Sequence, residues 1–348
     1  MKKWIGLGMV LAIFFSWSTP GISQDFSTSD LEGSWYLYST EVNPSVPALY
    51  WLAGSVEIDA SGNMAGVYVA PDGSAVALTD GQMSMARNGT ITGNFSSEGG
   101  QTGTVVDGKM DQGKTFGAAV MVGSDGTMDI ATMIKSGGSF VPADMVGTWY
   151  AYVTAIDPAT GAVYWAYGTI AVDSSGGVTG TFNAPDGSTA SVTEGTLSLD
   201  GNGVITGSTT LSTGTTSTIV QGKLDQGKSF GVYLSLGEDQ SMRIGYLHKA
   251  GEGFLPDEGE GYWYMYGLIT DLTIPAFYWA YGRAVVDGSE NVAGVVTVPS
   301  GDSLGATGTA ALDENGIWSG ALEFANGDTA TIVSGKLNPN RSNFTGAM

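Results

Sequence analysis

GTWYAYVT, residues 147–154, has a near copy 114 residues before it, GSWYLY at 33–38, and another 114 residues after it, GYWYMY at 261–266. A second motif keeps the same step: LYWLAG at 49–54, VYWAYG at 163–168 and FYWAYG at 277–282. Pro71, Pro185 and Pro299 hold the same register. Two gapless steps of this length identify three tandem copies. A period this long makes each copy a domain rather than a short stacked repeat. Copy one covers residues 30–142, copy two 144–256 and copy three 258–348, joined through SFVPAD and GFLPDE. Copy three has no counterpart of VMVGSDGTMDIATMIKSGGSFVP, residues 120–142, so it is expected to lack its last strand.

Within copy two, eight short segments carry β-branched and aromatic residues: GTWYAYVT, VYWAYGTIAVD, GVTGTFNA, STASVTEGTLSLD, GVITGSTTL, TSTIVQGKLD, SFGVYLSL and SMRIGYLHK. Some alternate with period two, as Phe230, Val232, Leu234 and Leu236 do. The joints between them are turn text: DSSGG, PDGS, DGNG, DQGK and GEDQ. No stretch beyond the first residues sustains a helical period. Gly168, Gly195 and Gly222 open similar phrases 27 residues apart, one hairpin per step, which is a meander. A propeller blade needs four strands, so this step argues against one. An open eight-stranded meander would expose two edges, and closing it removes both. The fold class is therefore all-β: three antiparallel meander units of about 114 residues, each an eight-stranded up-and-down barrel, the third incomplete.

Each copy opens with G-x-W on its first strand. With the strand count, that opening resembles lipocalin- and avidin-like barrels. The resemblance implies a barrel fold whose tryptophan plugs the floor, the expected role of Trp35, Trp149 and Trp263. The disulfide and the trailing helix usual in lipocalins are absent from this sequence.

The first residues read as a signal peptide over 1–23. Lys2 and Lys3 precede an uncharged apolar run from Trp4 to Trp17, too short to span a bilayer comfortably, and small residues Gly21 and Ser23 follow. The implied location is outside the cytoplasm: periplasm, cell surface or extracellular space. No membrane span is expected after cleavage. Cysteine is absent, so an exported form would depend on its core for stability. The formal net charge of −21, or −23 without Lys2 and Lys3, excludes the basic footprint that nucleic acid requires.

Two phrases match the phosphate-loop pattern G-x-x-x-x-G-K-[ST], Gly108–Thr115 and Gly222–Ser229. A nucleotide loop needs a helix after the lysine, whereas FGAAVMVG and FGVYLSLG read as strands. Asp111 and Asp225 would also repel phosphate. Both phrases are read as hairpins with a DQGK turn, in which Gly113 and Gly227 supply positive φ and Lys114 and Lys228 are solvated tips. No nucleotide is expected. The acidic turns lack the ligand spacing of a calcium loop. His248 is the single histidine, with no repeated partner, so it is read as structural or surface-placed. No catalytic residue, metal site or cofactor is expected, and the protein is not expected to be an enzyme. Sequons at Asn88, Asn94 and Asn343 matter only in a glycosylating source.

The repeated aromatics are the strongest candidates for function: Tyr50, Trp51, Tyr164, Trp165, Tyr167, Tyr278, Trp279 and Tyr281. Ala166, Ile170 and Val172 mark the core face of their strand, so Trp165 and Tyr167 have the opposite parity. Either a bulge turns them inward, or they face outward and pack barrel on barrel, or they form a platform for a ligand. Two functional readings follow. One is a non-catalytic exported structural or interaction protein. The other is a barrel array binding a small apolar ligand or glycan near the Trp/Tyr pair. The missing strand adds a third partner class, another chain joining copy three through its open edges.

Overall fold

A computed structural model describes residues 7–17, 25–43, 48–70, 73–156, 163–184, 186–271, 276–341 and 343–347. Pro71, Pro185 and the ends of the leader reading lie outside these residues. The described chain forms three closed antiparallel barrels. Barrel 1 runs from β2 (Gly33–Asn43) to β9 (Met128–Lys135), and barrel 2 from β10 (Gly147–Ile156) to β17 (Met242–Lys249). Each closes by pairing its first strand with its last. Barrel 3 holds seven strands of its own, β18 (Gly261–Asp271) to β24 (Asn343–Ala347).

Each barrel has the same floor. Phe26, Phe140 and Phe254, again 114 apart, are buried just before a four-residue 3-10 turn. The expected tryptophans lie directly above. The indole N–H of Trp35 donates to Leu31 O at 2.7 Å, that of Trp149 to Met145 O at 2.7 Å, and that of Trp263 to Gly259 O at 2.9 Å. All three rings are almost fully buried, with their polar atom satisfied, so they keep the benefit of apolar burial without an orphaned donor.

The barrels share a central core. One apolar cluster joins Tyr38, Trp51 and Phe116 of barrel 1, Tyr152, Phe230 and Tyr246 of barrel 2, and Tyr266, Leu268 and Trp279 of barrel 3. The polar contacts around it run in a cycle. Tyr266 donates to Asp107 Oδ1 of barrel 1 at 2.6 Å, and the Tyr152 hydroxyl lies 3.1 Å from Ser334 Oγ of barrel 3. Tyr38 faces Gln221 of barrel 2 without closing a bond of normal geometry. Asp107, Gln221 and Ser334 each sit at a β-bulge on the sixth strand of their copy, where one extra residue re-aims the side chain toward the neighbouring barrel. Three buried lysines repeat the cycle: Lys109 lies over Tyr264, Lys223 over Tyr36 and Lys336 over Tyr150, at 4.1, 5.0 and 5.1 Å from the ring centres. Each ammonium also donates to a turn carbonyl of its own barrel, Asn88, Asn202 and Asn315.

The eighth place in barrel 3 is taken by β1, Leu7–Trp17, the apolar run read from sequence as the heart of a leader. It pairs antiparallel with β18 along nearly its whole length and with β24 from Ala12 to Phe15. Copy three lacks its own last strand, as expected. Its two edges are not open, however: a strand of the same chain covers both.

Candidate functional site

The barrels have the same frame and different interiors. Barrel 2 holds an interior cavity of about 350 Å³, barrel 1 one of about 120 Å³ and barrel 3 one of about 60 Å³; a more open hollow of about 480 Å³ lies beside barrel 3 against Gly305, Thr307 and Glu323. The difference follows from side-chain volume at equivalent positions. Trp318 in barrel 3 stands where barrels 1 and 2 have Ile91 and Ile205, and Phe344 pairs with Leu337 as Gly231 pairs with Leu224. Those two rings lie 5.6 Å apart and fill barrel 3. In barrel 1, Phe95 and Met121 project into the cavity, while 114 residues later barrel 2 has only Thr209 and Ser235. The walls of the barrel 2 cavity are mainly Ile170, Phe182, Leu197, Ile219 and Leu247, with hydroxyls of Ser and Thr toward its open end. A concave, mainly apolar space of this size, open at one end, suits a small organic molecule.

The charged groups of the two larger cavities are opposite. In barrel 2, Arg243 lies on the wall, donates to Ser241 Oγ at 2.8 Å, and is destabilised as a cation by burial. Tyr233 lies beside it, and burial pushes its pKa up to about 12. Glycine at 245 makes room for that ring, since a Cβ there would lie 2.1 Å from it. At the position of Arg243, barrel 1 has Asp129, buried and accepting from Ser39 Oγ at 3.0 Å. Burial, then the charge of Glu41, pushes the pKa of Asp129 up to about 8.

Of the sequence-selected aromatics, Trp51 and Trp279 face outward and are buried where the barrels meet. Tyr167 and Tyr281 are half-buried against the same core. The outward parity therefore serves barrel-to-barrel packing at these positions, and none of the bulges falls beside them on β3 (Ala48–Ile58), β11 (Val163–Val172) or β19 (Ala276–Val286). Copy two differs. Trp165 is half-buried, stacked on Tyr167 at 6.0 Å, and with Tyr164, 56% exposed, it edges the open end of the barrel 2 cavity. Tyr50 is exposed and Tyr278 half-buried.

The two phosphate-loop phrases are hairpins, with one correction. The left-handed residue is Lys114 or Lys228, at φ 58° and 57°, not the glycine before it. Nor are these lysines free tips. Each pairs at 2.8 Å with an acid of its own floor, Asp30 or Asp144, and lies over Phe26 or Phe140. Asp111 and Asp225 are buried, and each accepts three loop N–H groups, at 2.8–3.2 Å. The carboxylate thus occupies the place a phosphate would take. His248 is structural: it is fully buried among Phe230 and Tyr152, with Nε2 2.7 Å from Thr345 Oγ1 of barrel 3. Burial, aided by Lys336, lowers its pKa to about 3, so it stays neutral. Asn343 of the third sequon is buried in β24.

Sequence reasoning missed Arg243, Tyr233 and Asp129. On β16 (Phe230–Gly237) the alternation of Phe230, Val232 and Leu234 marks the shared core and not the barrel interior that Tyr233 lines; β9 and β17 are apolar on both faces, because one face lines a barrel and the other lines the shared core. Without alternation, parity gives no inward direction. The one usable signal was the spacing of Arg243 from Leu247.

No known family model matches the chain, and no curated protein matches it. Among solved structures, it is similar to a protein of unknown function from the DUF3598 family of Nostoc punctiforme, with 10% identity, 66% of this chain and 99% of the other covered, and a TM-score of 0.24.

Proposed function

We propose that the protein is a non-catalytic binding protein, and that barrel 2 is its receptor for a small apolar ligand. The barrel 2 cavity carries this reading: it stays open at about 350 Å³ where the same frame in barrel 3 is filled by aromatic rings. Trp165 and Tyr164 at its mouth place one of the three repeated aromatic pairs where a bound ligand would meet it. Barrels 1 and 3 then act as a rigid support, consistent with a core shared by all three. The single histidine is sealed between barrels and lines none of the cavities described above, which supports a non-catalytic role.

The test uses a neutral apolar fluorophore, N-phenyl-1-naphthylamine. One molecule is expected to bind per chain, with enhanced emission. Ala190→Phe, which puts a ring into the barrel 2 cavity, is expected to abolish binding while leaving the circular dichroism unchanged. Equal binding by the filled variant would remove barrel 2 as the receptor.

A further inference from the structure

We infer that the ligand of barrel 2, taken as the receptor proposed above, is a single-chain apolar carboxylate whose head group is held by Arg243 with the Tyr233 hydroxyl beside it. Three observations converge. First, the cavity wall is apolar except for these two groups and a set of hydroxyls, so one end of a ligand has a cation and the rest has hydrocarbon. Second, Arg243 forms no ion pair among the described residues. The acid that favours its charge is Asp239, an exposed turn residue whose Oδ1 already accepts from Ser241 N and Oγ at 2.9 and 2.5 Å. A half-buried guanidinium without a carboxylate partner offers its fork to an anion, and its planar donors match a carboxylate. Third, the fold does not require the charge. The matching position in barrel 1 is Asp129, and Ala119 there replaces Tyr233. Barrel 1 instead places the acids Glu41 and Asp125 around its cavity, which disfavours the same head group.

Isothermal titration of the full chain with octanoate, 1-octanol and octylammonium at pH 7.5 separates the head group from the tail. Octanoate is expected to bind about tenfold or more tighter than octanol, the range for a hydrogen bond to a charged group. Octylammonium is expected to bind weakest. Arg243→Gln should erase the preference for octanoate and leave octanol unchanged. Arg243→Lys should keep part of it, and Tyr233→Phe should reduce it several-fold. Ala190→Phe should abolish binding of octanoate and octanol alike. Equal affinities for octanoate and octanol in the native chain, or a preference that survives Arg243→Gln, would overturn the carboxylate site while leaving barrel 2 as a receptor. If none of the three ligands binds, the receptor reading falls with it.

Discussion

A buried residue of barrel 1 sets a pH limit on the fold. Asp129 keeps its proton in the folded chain up to a pKa of about 8, because burial and the nearby Glu41 charge disfavour the anion. In the unfolded chain the same group releases its proton near its ordinary value of 3.8. Between those limits the folded state binds more protons, so stability falls as pH rises from about 4 to about 8. Asp129→Asn removes the titration and keeps the shape. Chemical denaturation of the two proteins should therefore give a stability difference that grows in favour of Asn across that window. A difference that stays flat with pH would show that Asp129 is ionised in the folded chain. Its location also marks how far the sequence could be read at this scale. The floor tryptophans were legible because G-x-W recurs at a fixed step. Asp129 and Arg243 were not, because β9 and β17 are apolar on both faces and conceal which way a charge points.

At the scale of elements, the hairpin after the sixth strand of barrels 1 and 2 shows a turn built around an acid. Asp225 is buried, and its carboxylate accepts the N–H groups of Gly227, Ser229 and Phe230. Asp225→Ala would leave buried donors unpaired. The expected loss is roughly 2 kcal/mol or more of unfolding free energy, at about 1–3 kcal/mol per orphaned buried group. Urea denaturation measures it, and a loss under about 0.5 kcal/mol, the size of an ordinary surface change, would refute the role. Strand count, turn text and meander order were legible here, since glycine, aspartate and the β-branched residues carry local signals. The left-handed lysine was not. Its conformation is held by contacts with Asp144 and Phe140, which lie far away in sequence.

The whole molecule is a cycle of three barrels, and its eighth strand in barrel 3 comes from the other end of the sequence. The repeat step revealed both the copies and the shortfall in the third. It could not reveal what fills the gap, because Leu7–Trp17 resembles neither β9 nor β17 and reads more simply as a leader. A chain beginning at Gln24 would leave one edge of β18 and one of β24 unpaired, and unpaired edges attract strands. Such a chain is expected to self-associate through barrel 3, seen as a rise in mass by light scattering relative to the full chain. A monomeric truncated chain of undiminished stability would show that β1 is dispensable. Sequencing the N-terminus of the protein recovered from its source would settle whether that strand is retained.

The placement of β1 also fixes an order of assembly. Barrels 1 and 2 are each made from one continuous stretch, so each can close as soon as its own strands have left the ribosome. Barrel 3 joins β1 to β24, with residues 18–342 between them. Such a pairing has a high closure entropy and cannot form until β24 has been made. During synthesis β1 must therefore wait for β18 before it has a partner and for β24 before barrel 3 closes, and anything that holds β1 in that interval decides whether the cycle closes.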